Sequence, residues 1–267
     1  MSEPPVNEQK GATFRALHEG EPFVIPNPWD AGSARMLAAL GFRALATTSS
    51  GFAFTRGRRD GEVTLDELVE HVAAVDAATD LPVSVDLENG LAGDAEGVAA
   101  ALARVAEAGA AGASIEDWDR DGGRLYELEE ALDRLRGAVE AARRLPHPFV
   151  LTGRAENHIR GNPDLDDTIA RLRAYEEAGA DVLYAPGLET KEQVRAVCTG
   201  VGKPVNVLAR PSLTFAELVE AGAQRVSVGG SLAWSAVNAA AAAAEAIRDG
   251  GDFSQLGSSP PLGEWFA

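Results

Sequence analysis

Glu107-Ala-Gly-Ala110 recurs as Glu177-Ala-Gly-Ala180 and again as Glu220-Ala-Gly-Ala223, each time ending a helical pattern and preceding a short β-branched run. Leu40-Gly-Phe42 does the same job earlier in the chain. A glycine directly after a helix adopts a left-handed backbone and turns the chain into the next strand. Repeated helix–glycine–strand units are repeated crossovers, and crossovers build a parallel sheet. Working outward, the strand candidates are Phe23–Ile25, Ala44–Thr48, Val83–Asp86, Ala113–Glu116, Phe149–Thr152, Val182–Tyr184, Val205–Leu208 and Arg225–Val228. They lack clean polar alternation, as strands covered on both faces do. Helix starts are marked by Asp30, by the Thr64–Glu67 capping box, and by Asp94, Asp164, Thr190 and Thr214. A long amphipathic run spans Leu125–Leu145, and a last helix opens at Ser231. Eight strands, each followed by a helix, in 267 residues predict a single α/β domain of the (β/α)8 TIM-barrel type. Residues 1–21 read as an N-terminal tail and helix, and 231–267 as a C-terminal helix and tail. The competing doubly wound sheet lacks a G-x-G-x-x-G after the first strand.

Bulk properties narrow the function. A net charge of −17 repels nucleic acid and anionic membranes. No apolar stretch spans a bilayer, and the first residues show no signal-peptide pattern. One cysteine, Cys198, excludes an intrachain disulfide and fits a reducing, cytoplasmic setting. Its place in a helical pattern reads as core rather than catalytic. An anionic substrate would need local positive charge from a metal or an arginine.

In such barrels the chemistry sits where strands end. The third strand ends Asp86-Leu-Glu-Asn-Gly90, with Asp86 and Glu88 on one side of an extended segment. The fourth ends Ile115-Glu-Asp-Trp118. Acids brought together from neighbouring strands repel each other unless a hard cation such as Mg2+ lies among them. Asp86, Glu88 and Glu116 are therefore the expected metal set, while Asp117 and Asp119 read equally as helix caps. Thr47-Thr-Ser-Ser-Gly51 offers small hydroxyls and N–H groups to an oxyanion or carboxylate. Arg154 reads as a carboxylate clamp or as an ion pair with Glu156. His158 reads as a proton carrier or a surface residue. Asp30 reads as an N-cap, and Asn206 as an inward donor or a core side chain.

Those motifs together, with Asn27-Pro-Trp-Asp-Ala-Gly-Ser-Ala-Arg35, Arg59-Asp-Gly-Glu62 and Leu183-Tyr-Ala-Pro-Gly187, resemble the isocitrate lyase/phosphoenolpyruvate mutase superfamily from about Phe14 to Ile247. The resemblance implies a barrel enzyme, Mg2+ (or Mn2+) held mostly through water by Asp86, Glu88 and Glu116, and a small oxo- or hydroxy-acid substrate passing through an enolate. It implies Asp60 on a loop that gates the site, Ser50 and Gly51 as a cradle for substrate oxygens, with Trp29 and Phe52 beside it, and Arg154 facing the substrate. It also implies homotetramers, dimers of dimers that exchange the eighth helix. The alanine-rich stretch Ala233–Ala246 has too few large apolar groups to pack alone, which agrees with such an exchange.

The departures shape the functional expectation. The Lys-Lys-Cys-Gly-His loop of the family's lyases is missing, which speaks against isocitrate or methylisocitrate cleavage proper. No lysine follows Ile115-Glu-Asp117, where the segment runs Trp118-Asp-Arg-Asp-Gly-Gly-Arg124. The expected activity is a Mg2+-dependent lyase or decarboxylase on an oxaloacetate- or methylisocitrate-like acid. The alternatives are a C–P bond enzyme, phosphonopyruvate hydrolase- or phosphoenolpyruvate mutase-like, and an α-keto acid binder with little turnover. Arg124, Tyr126 and His158 are the candidates for a proton donor.

Overall fold

The computed structural model describes residues 6–257 and 259–266. Its sheet has eight parallel strands: β1 (Phe23–Ile25), β2 (Leu45–Ala46), β3 (Val83–Asp86), β4 (Gly112–Glu116), β5 (Val150–Arg154), β6 (Val182–Tyr184), β7 (Val205–Leu208) and β8 (Arg225–Ser227). Their order is β1-β8-β7-β6-β5-β4-β3-β2. The remaining seam is bridged where Ala46 N donates to Pro26 O at 3.1 Å and Asn27 Nδ2 to Thr47 O at 3.0 Å. The sheet is thus a nearly closed barrel, and the doubly wound alternative is excluded.

The helix boundaries follow the caps. Asp30, Thr64, Thr190 and Thr214 each close a capping box with the residue three positions on. Gly109, Gly179 and Gly222, the glycines of the repeated Glu-Ala-Gly-Ala unit, all have φ near +107° (108, 106 and 108°). Each would strain any residue with a side chain. The barrel's amino end is plugged by the helix Val6–Glu19, whose Phe14 is fully buried against Gly112. Arg225 lies on this floor, bonded to Asn206 Oδ1 (2.8 Å), Thr152 Oγ1 (3.0 Å) and His18 Nε2 (3.1 Å).

Two elements depart from expectation. Ser49–Thr55, read as a loop of small hydroxyls, is a short helix capped by Thr48. Trp118–Asp119 and Arg124–Leu125 pair as an antiparallel ribbon beyond the carboxyl end of β4, so the amphipathic run expected from Leu125 becomes helical only at Leu128. Neither stretch has the length or apolar period that makes an element legible.

Candidate active site

Strand register assembles the site. Asp86 is paired with Ser114, Glu116 with Arg154, Arg154 with Tyr184, and Tyr184 with Asn206. The carboxyl ends of β3 to β6 therefore present Asp86, Glu116, Arg154 and Tyr184 as a continuous arc. Asp86, Arg154 and Tyr184 line one small cavity of ≈ 60 Å³, which reaches down to Arg225. That is room for a few water molecules.

Arg154 is the hub. Its Nη1 lies 3.4 Å from Asp86 Oδ1 and 3.3 Å from Glu116 Oε2, and its Nε donates to Glu156 Oε1 at 2.6 Å. The ion pair with Glu156 is present, and the guanidinium also faces the acidic cluster. Burial works against its charge, but Glu156, Glu116 and Asp86 outweigh that and raise its pKa well above the usual value. Its guanidinium carbon also stands 5.1 Å from the Tyr184 ring centre. Burial keeps the Tyr184 hydroxyl protonated well past neutrality. Arg160 completes this side, donating to Glu156 Oε2 at 2.8 Å and stacking over Trp118 at 4.5 Å.

Asp86 is held from two directions. Its carboxylate accepts from Ser49 N at 3.1 Å, and its backbone N donates to Thr47 Oγ1 at 3.0 Å. Glu88 has a left-handed backbone, φ 53°, pinned where its carbonyl accepts from Glu116 N at 2.8 Å. Burial, with repulsion from Asp86, pushes the Glu88 carboxyl up to about 7 although Arg120 pairs with it. Asp60 stands close enough to add to that repulsion. Burial raises Glu116 well above the usual carboxylate range; Arg154 opposes this, and Glu156, Asp86 and Glu88 reinforce it.

The expected metal set is thus one electrostatic unit, but it does not form a ready cage. Among the described residues no three acidic, histidine or cysteine side chains converge tightly enough to bind a bare ion. Each of the three acids is engaged by an arginine instead: Glu88 by Arg120, Asp86 and Glu116 by Arg154. The donors fit Mg2+ in another way. They are hard oxygens whose mutual repulsion calls for added positive charge, and Mg2+ commonly keeps several waters between itself and such groups.

Other expectations resolve into structural roles. Asp117 turns away from the cluster and accepts from Tyr175 Oη (2.5 Å), Glu156 N (2.7 Å) and Arg171 Nη1 (3.0 Å). Asp119 pairs with Arg124 and caps the ribbon turn at Gly122 N. Phe52 does not line the cavity; it is buried and stacked on His71, ring centres 3.9 Å apart. Gly51 is required by crowding, since a Cβ there would fall 2.7 Å from Thr48 Cγ2 and 3.0 Å from Trp29 Cβ. Thr47 and Thr48, rather than Ser50 and Gly51, border the cavity. Asn206 borders it too, with its amide committed to Arg225 and Ser227.

The three suggested proton donors are all placed elsewhere. Arg124 pairs with Glu130, Tyr126 Oη accepts from Asn89, and His158 sits buried on the turn after β5 without a contact to the cluster among the described residues. Cys198, half-buried on an outer helix away from the strand ends, has its thiol pushed up to about 11 by burial. Sequence reading missed Tyr184, Arg160 and Arg120 as members of the site. Tyr184 ends a strand and could have been found by the same rule that found Arg154.

A parallel barrel whose strands β3 to β5 end in interlocked acids and an arginine, with Tyr184 on the next strand, places its polar groups where barrel enzymes carry their chemistry. Comparison with known proteins narrows this further. The phosphoenolpyruvate phosphomutase family model matches residues 14–248. An oxaloacetate decarboxylase of Rhodopseudomonas palustris is 32% identical over 260 residues, 93% of this chain and 88% of that protein. A Burkholderia cenocepacia structure provisionally described as a lyase/mutase is 47% identical with a TM-score of 0.93, covering 97% of this chain and 96% of that one. Oxaloacetate acetylhydrolase bound to the inhibitor 3,3-difluorooxalacetate is 26% identical with a TM-score of 0.87, covering 99% and 93%. The chain belongs to the phosphoenolpyruvate phosphomutase family and is an enzyme of the isocitrate lyase/phosphoenolpyruvate mutase superfamily, with lyases among its relatives.

Proposed function

We propose that this enzyme is a Mg2+-dependent lyase or decarboxylase, with Mn2+ able to substitute, that cleaves a carbon–carbon bond of a small α-keto or 2-hydroxy (di)carboxylic acid through an enolate. The observation that carries this reading is the Asp86–Glu116–Arg154 constellation at the carboxyl ends of adjacent strands. The oxaloacetate decarboxylase and oxaloacetate acetylhydrolase relatives support an oxaloacetate-like substrate.

Breaking a bond next to a carbonyl leaves negative charge on the carbonyl oxygen, and fixed positive charge lowers that barrier. Arg154, already aimed at the cavity by Glu156, would clamp the substrate carboxylate. Thr47 and Thr48 border the cavity, and next to them Ser50 and Gly51 form the cradle that the resemblance implies for substrate oxygens, with Asp60 acting from the loop above. Asp86, Glu88 and Glu116 would hold the metal through water, and the metal when bound would supply Lewis-acid charge to the oxo-acid oxygens. A C–P enzyme is the weaker reading, because the segment Trp118–Arg124 after Ile115-Glu-Asp117 carries arginines and no lysine.

The test is direct. Purified protein with Mg2+ is incubated with oxaloacetate, 2-methylisocitrate, 2,3-dimethylmalate and phosphonopyruvate, and pyruvate and phosphate are followed. Pyruvate from a carbon acid is expected. Phosphate together with pyruvate would move the activity to C–P chemistry, and tight oxo-acid binding with no product would leave a binder. Asp86→Ala is expected to lower the metal-dependent rate at least ~100-fold with the fold intact by circular dichroism. An unchanged rate and metal dependence would overturn the site assignment.

A further inference from the structure

Arg120 holds a position none of the other site arginines shares. It projects from the ribbon between Trp118–Asp119 and Arg124–Leu125, off the barrel wall, and its side chain is 27% exposed. Its guanidinium passes against Gly61, where a Cβ would collide with it, and ends on Glu88. Gly61 has φ +91°, so the turn itself favours glycine, and its bare backbone leaves the guanidinium room. Gly61 lies beside Asp60, so one guanidinium ties together the ribbon, the 59–61 turn and the metal strand's extension.

At the other end of the pair, Glu88 is held at its backbone, which is left-handed and pinned by Glu116 N, and its side chain is buried, 4% exposed. Arg120 is its cationic partner, whereas Arg154 is committed to Asp86, Glu116 and Glu156. A guanidinium and a divalent cation on one carboxylate repel each other, and Arg120, 27% exposed on the ribbon, is the arginine free to give way, whereas Arg154 is held in the wall by Glu156.

We propose that Arg120 and the divalent cation compete for Glu88, so that Arg120 sets how tightly the enzyme holds its metal and the ion's arrival frees the ribbon. This rests on the metal reading of the site given above. Competition is reciprocal: whatever Arg120 costs the cation, the cation costs the Arg120 contact. Arg120 is therefore a positioning residue acting on metal occupancy, and it links that occupancy to the ribbon that carries it.

The test needs no substrate. Mn2+ binding to the full chain and to Arg120→Gln is measured by calorimetry or by the loss of free Mn2+ spin signal. The variant is expected to bind at least 10-fold more tightly. Trp118 gives a second readout, because it shares the ribbon and stacks under Arg160. Mg2+ is expected to change Trp118 fluorescence in the parent chain, with Trp118→Phe identifying the signal, and to change it far less in Arg120→Gln. Arg120→Lys, which keeps the positive charge but loses the planar fork of N–H donors, is expected to fall between. Equal affinity in parent and Arg120→Gln, or weaker binding in the variant, would overturn the competition while leaving the metal reading in place. No Mn2+ binding by either protein would overturn both.

Discussion

His71 shows how much a single buried side chain decides. It is 6% exposed, stacked flat on Phe52, and its Nε2 has no partner among the described residues. Burial lowers its pKa from 6.5 to about 4, with Asp30 opposing. The folded protein thus holds His71 neutral while the unfolded chain protonates it below pH 6.5. Its contribution to stability is complete above that value and is lost as the pH falls toward 4. A shift of this size is worth roughly 3 kcal/mol. His71→Phe keeps the stack and removes the proton site. Urea unfolding at pH 7.5 should separate parent and variant little, while at pH 4.5 the parent should be weaker by most of that amount. A difference that does not change between the two pH values would sink the account. The same pair explains why part of the site was illegible. Phe52 follows Gly51 in a motif that resembles a substrate cradle, yet nothing in the sequence shows that His71, far along the chain, claims its ring. Asp86, Glu116 and Arg154 were legible because strand ends carry them, and strand ends are where a barrel places chemistry. Arg120 was not, because its partner is set by a ribbon too short to leave a periodic trace.

At the scale of elements, helix ends and strand starts were readable from local chemistry. Capping boxes at Thr64, Thr190 and Thr214, and glycines forced to positive φ at Gly109, Gly179 and Gly222, mark their boundaries without reference to the rest of the chain. What local chemistry does not reveal is how closely elements approach. Gly137 lies inside the helix Leu128–Arg144, where propensity alone says that alanine would gain about 1 kcal/mol. Packing says the reverse. A Cβ at Gly137 would fall 2.5 Å from the carbonyl oxygen of Ala95, at the start of the helix Ala95–Glu107. That backbone cannot rotate aside, so the two helices must separate, at a cost of about 1–3 kcal/mol. Gly137→Ala should lower the melting temperature. Gly32→Ala is the control: a Cβ there meets nothing nearer than Asp30 Oδ1 at 3.5 Å, and it should leave stability level or raise it. If both variants gain stability alike, the close approach of the two helices has no energetic weight.

For the whole molecule, the last helix is the part that the barrel does not explain. Ser231–Gly250 is 20 residues long, and only Ala233 is buried. Its Trp234 meets Phe54 edge-on while both stay exposed, at 38% and 48%. Alanine can hold such a length helical, but it gives the helix little with which to dock. A surface of exposed small side chains allows another backbone to come close, which fits the exchange of this helix between subunits that the family resemblance implies. Ala240 and Ala244, both exposed and four residues apart, share one face. In an isolated chain, Ala240→Glu with Ala244→Glu would lie in water and change stability by less than about 0.5 kcal/mol. In an assembly closed by this helix, the same two carboxylates would be buried without partners, and the assembly would come apart. Sedimentation velocity should therefore show an oligomer for the parent chain and a smaller species for the double variant, with both still helical by circular dichroism. A parent chain that sediments as a monomer, or a double variant with the parent's sedimentation coefficient, would remove this helix from the assembly.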